Sequence, residues 1–262
     1  ALWIHSNADS TELAVEINQL DLQQLSRFAA IPDMQGRVNV ALRYVPSDVS
    51  FLVAADANID NLIFRGQPVG ELLLNGVYLP LDNNRHRFDA HFYHNESELA
   101  TVSAFYRQPQ QKQAQGAIDG TMQFDRIPLS ELNPFFGGAV DMQGVLRGRL
   151  TLESRDRGPI WNGYLQLDST SMYVRAVGTR FRFDDQEVDI KDSKLRLTKY
   201  GIYTTGGNPF TISGTVDLGK PMKETADLRL AAQDMLLIDA PDGAPGAMLY
   251  GRLPIDLNLT AP

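Results

Sequence analysis

Apolar and polar residues alternate with a period of two along most of this 262-residue chain. The clearest stretches are residues 38–44, 88–92, 146–152, 210–216 and 253–259. Because successive side chains of a strand point to opposite faces, this pattern is typical of strands with one apolar and one polar face. Its recurrence from one end of the chain to the other predicts an all-β fold.

The connections between the predicted strands are short clusters of turn-forming residues, at 46–48, 82–84, 158–159 and 206–209. Parallel neighbours need crossovers of a dozen or more residues, so these links indicate a mostly antiparallel sheet. Counting the alternating segments predicts roughly eighteen strands of about five to eight residues each.

So many strands leave three arrangements for the apolar faces, because open sheets seldom exceed about ten strands without curling or splitting. These are a two-sheet sandwich, a closed barrel and a long curled trough. A membrane barrel is disfavoured, since it needs strands of about 9–11 residues and girdles of aromatic residues. The sandwich and the trough both remain open on this pattern alone.

A tetrapeptide repeat favours the trough. Asp-Met-Gln-Gly stands at 33–36 and again at 141–144, an offset of 144 − 36 = 108 residues. Each copy follows a short amphipathic segment, 20–25 and 127–132, for which we expect one turn of helix. Because a repeating unit covers its apolar face by stacking on the next unit, such a chain grows by addition.

The repeat predicts a domain organisation with units of about 105–110 residues. We expect a first β repeat at 1–116, a second at 117–224 and the start of a third, truncated repeat at 225–262. The third copy is degenerate and extends from about Asp234 to Leu253. The chain begins without Met and stops inside this copy, so we expect it to be a piece of a longer protein.

Composition excludes several classes of function. With 24 basic and 32 acidic residues the net charge is −8, which disfavours nucleic acid and anionic membrane surfaces as partners. There is no cysteine, hence no disulfide framework and no thiol nucleophile. No apolar run approaches the 18–20 residues of a membrane helix.

Candidate chemistry is weak throughout, so we expect no enzyme, no metal and no cofactor. His91 and His94 are an odd number apart on a strand, which places their rings on opposite faces. The segment 56–60 begins like a calcium-binding loop but lacks its glycine and glutamate, and we interpret it as a solvated turn. The hydrolase, nucleotide-binding and zinc-protease motifs do not occur.

Two charged groups leave alternatives open. Asp185, Glu187 and Asp189 share one side of a strand, which we interpret as its wet face. A set of arginines either meets lipid phosphates at the rim of a trough or points into solvent, and we favour solvent: Arg147, Arg149, Arg180 and Arg182.

A family resemblance is carried by a cadence of glycine and leucine followed by strands with aromatic residues. It runs through residues 145–150, 161–167, 179–183, 188–190, 195–197 and 208–216. In this cadence the chain resembles the TamB family of the AsmA-like superfamily, the inner-membrane component of the translocation and assembly module, in its Bacteroidetes form. The match is best over 117–262 and extends to 1–116 as an earlier repeat.

The resemblance implies a periplasmic protein held in the inner membrane by an anchor outside this sequence. Its body would be an elongated, curled sheet, a β-taco or half-pipe with an apolar concave face. The implied function is phospholipid transport between the inner and outer membranes. The alternative is a scaffold for outer-membrane protein assembly that pairs strands with a barrel partner of the TamA/BamA type. The family has no catalytic residues to carry over.

The apolar side of the second repeat is the candidate lipid groove, where phospholipid acyl chains would lie. The same alternation would also fill a dry core, as in a plain structural sandwich module of a surface protein, so a closed core remains an alternative. The candidate groove residues are Leu146, Leu150, Leu152, Leu165, Leu167, Phe181, Phe183, Leu195, Leu197, Phe210, Ile212, Val216, Leu228 and Leu230.

Overall fold

A computed structural model describes most of the chain, and the account below concerns those residues. They are 2–6, 13–25, 33–46, 50–109, 116–155, 158–204, 209–219, 225–236 and 252–261.

Nearly all of these residues lie in strands. The strands are β1 Leu2–Ser6, β2 Leu13–Asp21, β3 Met34–Pro46, β4 Phe51–Phe64, β5 Gln67–Leu81, β6 Arg85–His94, β7 Ser97–Arg107, β8 Ala117–Pro128, β9 Val140–Arg155, β10 Gly158–Val174, β11 Thr179–Phe183, β12 Glu187–Lys191, β13 Lys194–Tyr203, β14 Phe210–Asp217, β15 Thr225–Leu236 and β16 Arg252–Ala261. Within the described ranges the helices are α1, Leu22–Leu25, and a 3₁₀ helix, Leu129–Phe136.

The predicted all-β class with an antiparallel sheet is confirmed. The sheet has 16 strands, hydrogen-bonded in chain order from β1 to β11 and then from β13 to β16. The short strand β12 lies off this path and pairs with β10 and β13. The pairs are antiparallel wherever the register is defined. Short hairpins therefore connect most neighbours, as at the predicted turn 82–84.

Many strands are longer than predicted, and two predicted turns are wrong. Residues 56–60 lie inside β4, which has 14 residues, and 158–159 begin β10, which has 17. These strands continue because bulges absorb an extra residue without ending the ladder. Asn61 and Ser169 both take φ of 50° at such points. The predicted turns at 46–48 and 206–209 fall largely outside the described residues.

The tetrapeptide repeat is visible in the backbone. Gly36 and Gly144 near the starts of β3 and β9 take φ of 149° and 108°. The ideal Cβ positions of these glycines approach Asp60 and Thr170 respectively, each next to a residue with φ of 50°. Both members of each pair recur at the 108-residue offset, since 61 + 108 = 169 and 36 + 108 = 144. The repeated feature is thus a bulge where a long strand begins.

The helical turns predicted before each tetrapeptide are confirmed, at α1 and at the 3₁₀ helix. Each contributes one buried leucine, Leu22 and Leu129. Leu22 packs with buried Leu62 and Val69, and this small core extends to partly buried Met34, Val38, Ile59, Phe64 and Leu72. Leu22 of α1 therefore covers apolar side chains at one end of β3, β4 and β5. The middle of the predicted third copy, 237–251, lies outside the described residues.

The chain divides into two compact units. The first unit is Ala1–Phe124 with Leu152–Arg155, and the second is Asp125–Thr151 with Asp156–Pro262. These units group residues by proximity, whereas the predicted boundaries concern repeats, so the repeat boundaries stay a prediction. Across the described ranges, neither helix has the length and apolarity needed to span a membrane.

The bulge glycines generate a prediction about stability. An alanine at Gly144 would place its Cβ 2.5 Å from Thr170 Cα, in a left-handed conformation. At Gly66 the φ is also positive, 76°, but nothing lies within 4 Å of the added Cβ. We expect Gly144→Ala to lower the free energy of unfolding by about 3 kcal/mol or more and Gly66→Ala by about 1 kcal/mol, measured in urea. Equal losses would show that only the backbone conformation matters at Gly144.

Candidate functional site

The strand register of the first unit collects its apolar side chains on one face. Directly paired residues of antiparallel strands point to the same side of a sheet. One such row joins Ile17, Val40, Leu74 and Phe92 through paired positions on β2 to β6. We call the set reached by these rows the first apolar face: Leu13, Val15, Ile17, Val38, Val40, Leu42, Tyr44, Phe51, Val53, Ile59, Leu72, Leu74, Tyr78, Phe88, Phe92, Val102, Tyr106, Ile118 and Met122.

Much of the first apolar face is uncovered. Large hydrophobic side chains on it are about two-fifths exposed, whereas the core residue Leu62 is 3% exposed. A second layer packed on the sheet would bury them, so no such layer exists among the described residues. Contiguous exposed apolar surface of this kind marks a site of interaction. The exposed members are Leu13 43%, Leu42 41%, Tyr44 37%, Phe88 42%, Phe92 38% and Ile118 41%.

Aromatic rings cross one end of this face. Ring centroids are 5.2 Å apart for Tyr44 and Phe51, 5.9 Å for Phe51 and Tyr78, and 5.0 Å for Tyr78 and Phe88. The Tyr78 hydroxyl lies 2.8 Å from His86 Nδ1, so its polar group has a partner within the face. The rings therefore provide a broad and rather rigid apolar surface.

The opposite face of the first unit is polar and internally hydrogen-bonded. Asn75 donates to Asp56 at 2.6 Å, while Asn58 and Asn39 donate to Asp60 at 2.6 and 2.9 Å. The segment 56–60, predicted to be a solvated turn, is therefore a strand segment whose two carboxylates accept hydrogen bonds from amides. Each strand of the first unit therefore has one polar side and one apolar side.

The second unit has the same construction, and it brings most of the predicted groove residues together. Leu195 pairs with Val216, Ile212 with Leu230, and Leu165 with Val188. A bulge between Leu197 and Tyr200 keeps the two ends of β13 on the same side. The second apolar face therefore contains Leu165, Leu167, Phe181, Phe183, Leu195, Leu197, Phe210, Ile212, Val216, Leu228 and Leu230.

A glycine on β9 shows which face the predicted groove residues of this strand belong to. The ideal Cβ of Gly148 would lie 2.7 Å from Leu165 Cδ2, so this side of β9 adjoins the second apolar face. Leu146 and Leu150 alternate with Gly148 and share its side. Leu152 continues the same alternation but belongs to the first unit.

The degree of burial of the predicted groove residues is uniform. All are half-buried, and none is enclosed. Buried hydrophobic residues of the second unit, by contrast, are few among those described: Leu129, Ile190, Tyr200 and Ala232. Neighbours on the same face shield these side chains partly. Their role as lipid contacts stays a prediction.

The arginines considered as rim contacts lie on the polar side, and two of them have acidic partners. Arg147 pairs with Asp168 at 2.8 Å and Arg180 with Asp141 at 3.8 Å. Arg149 and Arg182 are exposed. Glu187 and Asp189 are likewise exposed on β12, while Asp185 lies in the link before that strand. Arg147 and Arg180 are therefore already paired with carboxylates of the protein.

His91 and His94 of β6 lie on opposite faces, as predicted. His91 is exposed and lies 2.6 Å from the Glu98 carboxylate, whereas His94 is buried with Nε2 2.6 Å from the Val69 carbonyl oxygen. No group of three or more potential ligands for a metal ion occurs in the part of the chain that the structure describes.

Sequence reasoning missed the first unit as a site. It placed the groove only in the second repeat, yet six of the nine exposed large hydrophobic side chains among the described residues, Leu42 and Phe88 included, lie on the first apolar face. The signal was available, because 38–44 and 88–92 alternate as clearly as any second-repeat strand. Alternation alone does not report which face is left uncovered.

Comparisons with models of known families, with curated proteins and with solved structures give no match.

The uncovered face generates a paired prediction. Leu62 and Leu42 lie on neighbouring strands but are 3% and 41% exposed. We expect Leu62→Ala to reduce the free energy of unfolding by about 2–5 kcal/mol because it leaves a cavity. Leu42→Ala should cost below about 1 kcal/mol. Urea unfolding of both variants measures the two losses of free energy. Similar losses would mean that the first apolar face is covered in solution.

A second prediction concerns the buried tyrosine of β13. Burial raises the pKa of Tyr200 to about 12, and the nearby Asp184 and Asp185 carboxylates add to the effect. Because the folded pKa exceeds the ordinary value of 10.0, the phenol stabilises the fold fully below pH 10, and this contribution disappears as the pH rises towards 12.

The measurement is the unfolding free energy from pH 9 to about pH 12, in the native chain and in Tyr200→Phe. The native chain should lose more stability over this interval than the variant. At neutral pH the variant should be less stable by about 1 kcal/mol, since its ring cannot donate to the Asp184 carbonyl. Parallel pH profiles would refute a raised pKa.

Proposed function

We propose that this chain is a segment of a periplasmic lipid-transport protein whose apolar faces hold phospholipid acyl chains. The observation that carries the proposal is the first apolar face, where Leu42, Phe88, Phe92 and Ile118 are about two-fifths exposed. A surface of this kind matches a ligand that is itself long, flexible and apolar.

The energetics of lipid transfer favour such a surface. Exposing acyl chains to water costs about 0.8 kcal/mol per CH₂, so two chains with about thirty CH₂ groups face a barrier above roughly 20 kcal/mol. An apolar face that contacts the chains removes much of this cost. The strand β5 has 15 residues and spans roughly 50 Å, more than the length of one acyl chain.

The distribution of polar groups fits movement along the face. Aliphatic and aromatic contacts are uniform and carry little specificity, so no single position holds a chain tightly. The opposite face is occupied by hydrogen-bonded amides and carboxylates such as Asn39, Asp56 and Asp60, which keep it wetted. Apolar ligands are thereby confined to one side of the sheet.

The resemblance to the TamB family supports the cellular setting. It implies a protein of the periplasm, with an inner-membrane anchor outside this sequence and an outer-membrane barrel of the TamA/BamA type as partner. These parts of the proposal depend on the resemblance, whereas acyl-chain binding also has the uncovered face in its favour. The alternative is that the same strands assist outer-membrane proteins by pairing with their strands.

The test uses a photo-crosslinking residue placed on each side of the sheet in cells. Phe92 and Val77 are matched, because they are 38% and 39% exposed but lie on opposite faces of neighbouring strands. We expect phospholipid adducts at Phe92 and none at Val77. The same contrast is expected in the second unit between Phe181 or Leu197 and the exposed Arg182.

Two outcomes would contradict the proposal. Capture of client protein strands without phospholipid at Phe92, Phe181 and Leu197 would favour the assembly scaffold. Equal lipid labelling at Phe92 and Val77 would show that contact with lipid does not depend on the apolar face.

A further inference from the structure

The hydrogen-bonded ladder beside β10 is interrupted in the second unit. Residues 163–166 of β10 pair with β12, and residues 171–174 pair with β11. Between these two stretches β10 faces the link 184–186, which joins β11 to β12. The sheet therefore has a local opening at this link. Tyr200, which is buried and belongs to the apolar side, donates to the Asp184 carbonyl oxygen at 2.7 Å and closes the opening from that side.

A cavity of about 510 Å³ lies at this opening on the polar side of the sheet, and its volume is within the range of small-molecule sites. Its position follows from the strand register, because the lining residues Ser171, Arg182 and Tyr203 occupy paired positions on β10, β11 and β13. The next pair on the same side, Tyr173 with Arg180, is also polar. A ligand in this cavity therefore lies on the opposite side of the sheet from the second apolar face.

An aromatic ring forms part of the cavity wall. Tyr203 leans along β13, and the ideal Cβ of Gly201 would lie 2.7 Å from the Tyr203 hydroxyl oxygen and 2.8 Å from its Cζ. The ring thus occupies the space that a side chain at residue 201 would fill, so it lies along the sheet and does not project from it. It provides an apolar surface beside the charged groups of the cavity.

The charged groups of the cavity have free hydrogen-bonding capacity. The Arg182 guanidinium is exposed and forms neither an ion pair nor a hydrogen bond within the described part of the chain. Asp185 Oδ1 accepts from the backbone N–H of Ser169 at 2.8 Å, and Asp184 Oδ2 accepts from Gln186 Nε2 at 3.3 Å. The other oxygen of each carboxylate has no hydrogen-bond partner among the described residues. The cavity therefore offers donors and acceptors side by side.

This combination favours one class of ligand. An anion needs donors and is repelled by the two carboxylates, whereas a metal ion needs acceptors and is repelled by Arg182. A sugar hydroxyl both donates and accepts, so a guanidinium and a carboxylate can bind neighbouring groups of one sugar ring. The C–H bonds on one side of a pyranose ring pack against the negative face of an aromatic ring. A small zwitterion satisfies the charges but has no such face for Tyr203.

We propose that this cavity binds an uncharged oligosaccharide whose pyranose rings carry acetamido groups. One ring stacks on Tyr203, its acetamido oxygen accepts from Arg182, and its N–H and hydroxyl groups donate to the free oxygens of Asp184 and Asp185. The site goes beyond the proposed function, because it lies on the opposite side of the sheet from the acyl chains. In the periplasm that the proposed function assumes, chains of this chemistry are the glycan strands of the cell wall.

Calorimetry with a soluble saccharide tests the site. The β-1,4-linked tetramer of N-acetylglucosamine is titrated into the native chain, and we expect saturable binding. Arg182→Gln should weaken it about tenfold, because a charge-assisted hydrogen bond is lost. Arg149→Gln is the matched control, since Arg149 is equally exposed on the polar side of β9 but does not line the cavity, and it should bind like the native chain. No saturation by about 10 mM tetramer, or equal weakening by both variants, overturns the proposal.

Two tyrosines separate stacking from a general loss of structure. Tyr203→Ala should weaken binding of the tetramer several-fold, whereas Tyr203→Phe keeps the ring and should bind like the native chain. Tyr173→Ala removes a tyrosine from the same polar side outside the cavity and should leave the affinity unchanged. A loss in Tyr203→Phe as large as in Tyr203→Ala, or a similar loss in Tyr173→Ala, contradicts stacking on the Tyr203 ring.

Two further ligands distinguish the ligand classes. Maltotetraose, an α-linked tetramer of glucose, has hydroxyl groups but no acetamido groups, and it should bind several-fold more weakly. L-Serine, a soluble zwitterion, should not displace the N-acetylglucosamine tetramer. Equal binding of the two tetramers refutes the acetamido ligand, and displacement by L-serine shows a site for zwitterions and overturns the saccharide proposal. Each of these failures leaves acyl-chain binding untouched, since that is tested at Phe92, Phe181 and Leu197 on the apolar faces.

Discussion

Mutual shielding of apolar side chains on one face of a single sheet is the interaction on which the rest of the structure depends. Side chains such as Leu74 and Phe92 are partly shielded by partners on adjacent strands and by no second layer in the described residues. Each strand consequently relies on its two neighbours for much of its apolar contact. Such a sheet gains stability by adding strands at its sides, which fits a chain with a long internal repeat.

Bulges make this arrangement possible over strands of up to 17 residues. A shift of one residue would move every later side chain to the wrong face. At Asn61, Ser169 and Lys199, all with φ near 50°, an extra residue is absorbed and the apolar set resumes on its former side. The Asp-Met-Gln-Gly repeat belongs to the same device, because its glycine accommodates the close approach of the next strand. The motif therefore helps to organise the sheet.

Local patterns were sufficient to predict the strands, from alternation, the antiparallel pairing, from short links, and the helical turns, from two amphipathic segments. The prediction failed at 56–60, which was interpreted as a turn. Asp56, Asn58 and Asp60 form the polar side of this part of β4, and Ala57 and Ile59 form its apolar side. The opening at 184–186 was also beyond the sequence, since it arises from the register of β10 with two different partners. Exposure of Leu42 and Phe88 is likewise a property of the whole sheet.

The cost of the uncovered face argues for its function. Leaving a large apolar side chain in water forfeits a sizeable part of the about 1.5–3 kcal/mol that its full burial would contribute. Six such side chains on the first apolar face are more than a third exposed. A second layer, or polar residues at these positions, would remove that cost without changing the strand order. The same alternation that could have closed a sandwich instead leaves Phe88 and Phe92 accessible, which is what the proposed binding of acyl chains requires.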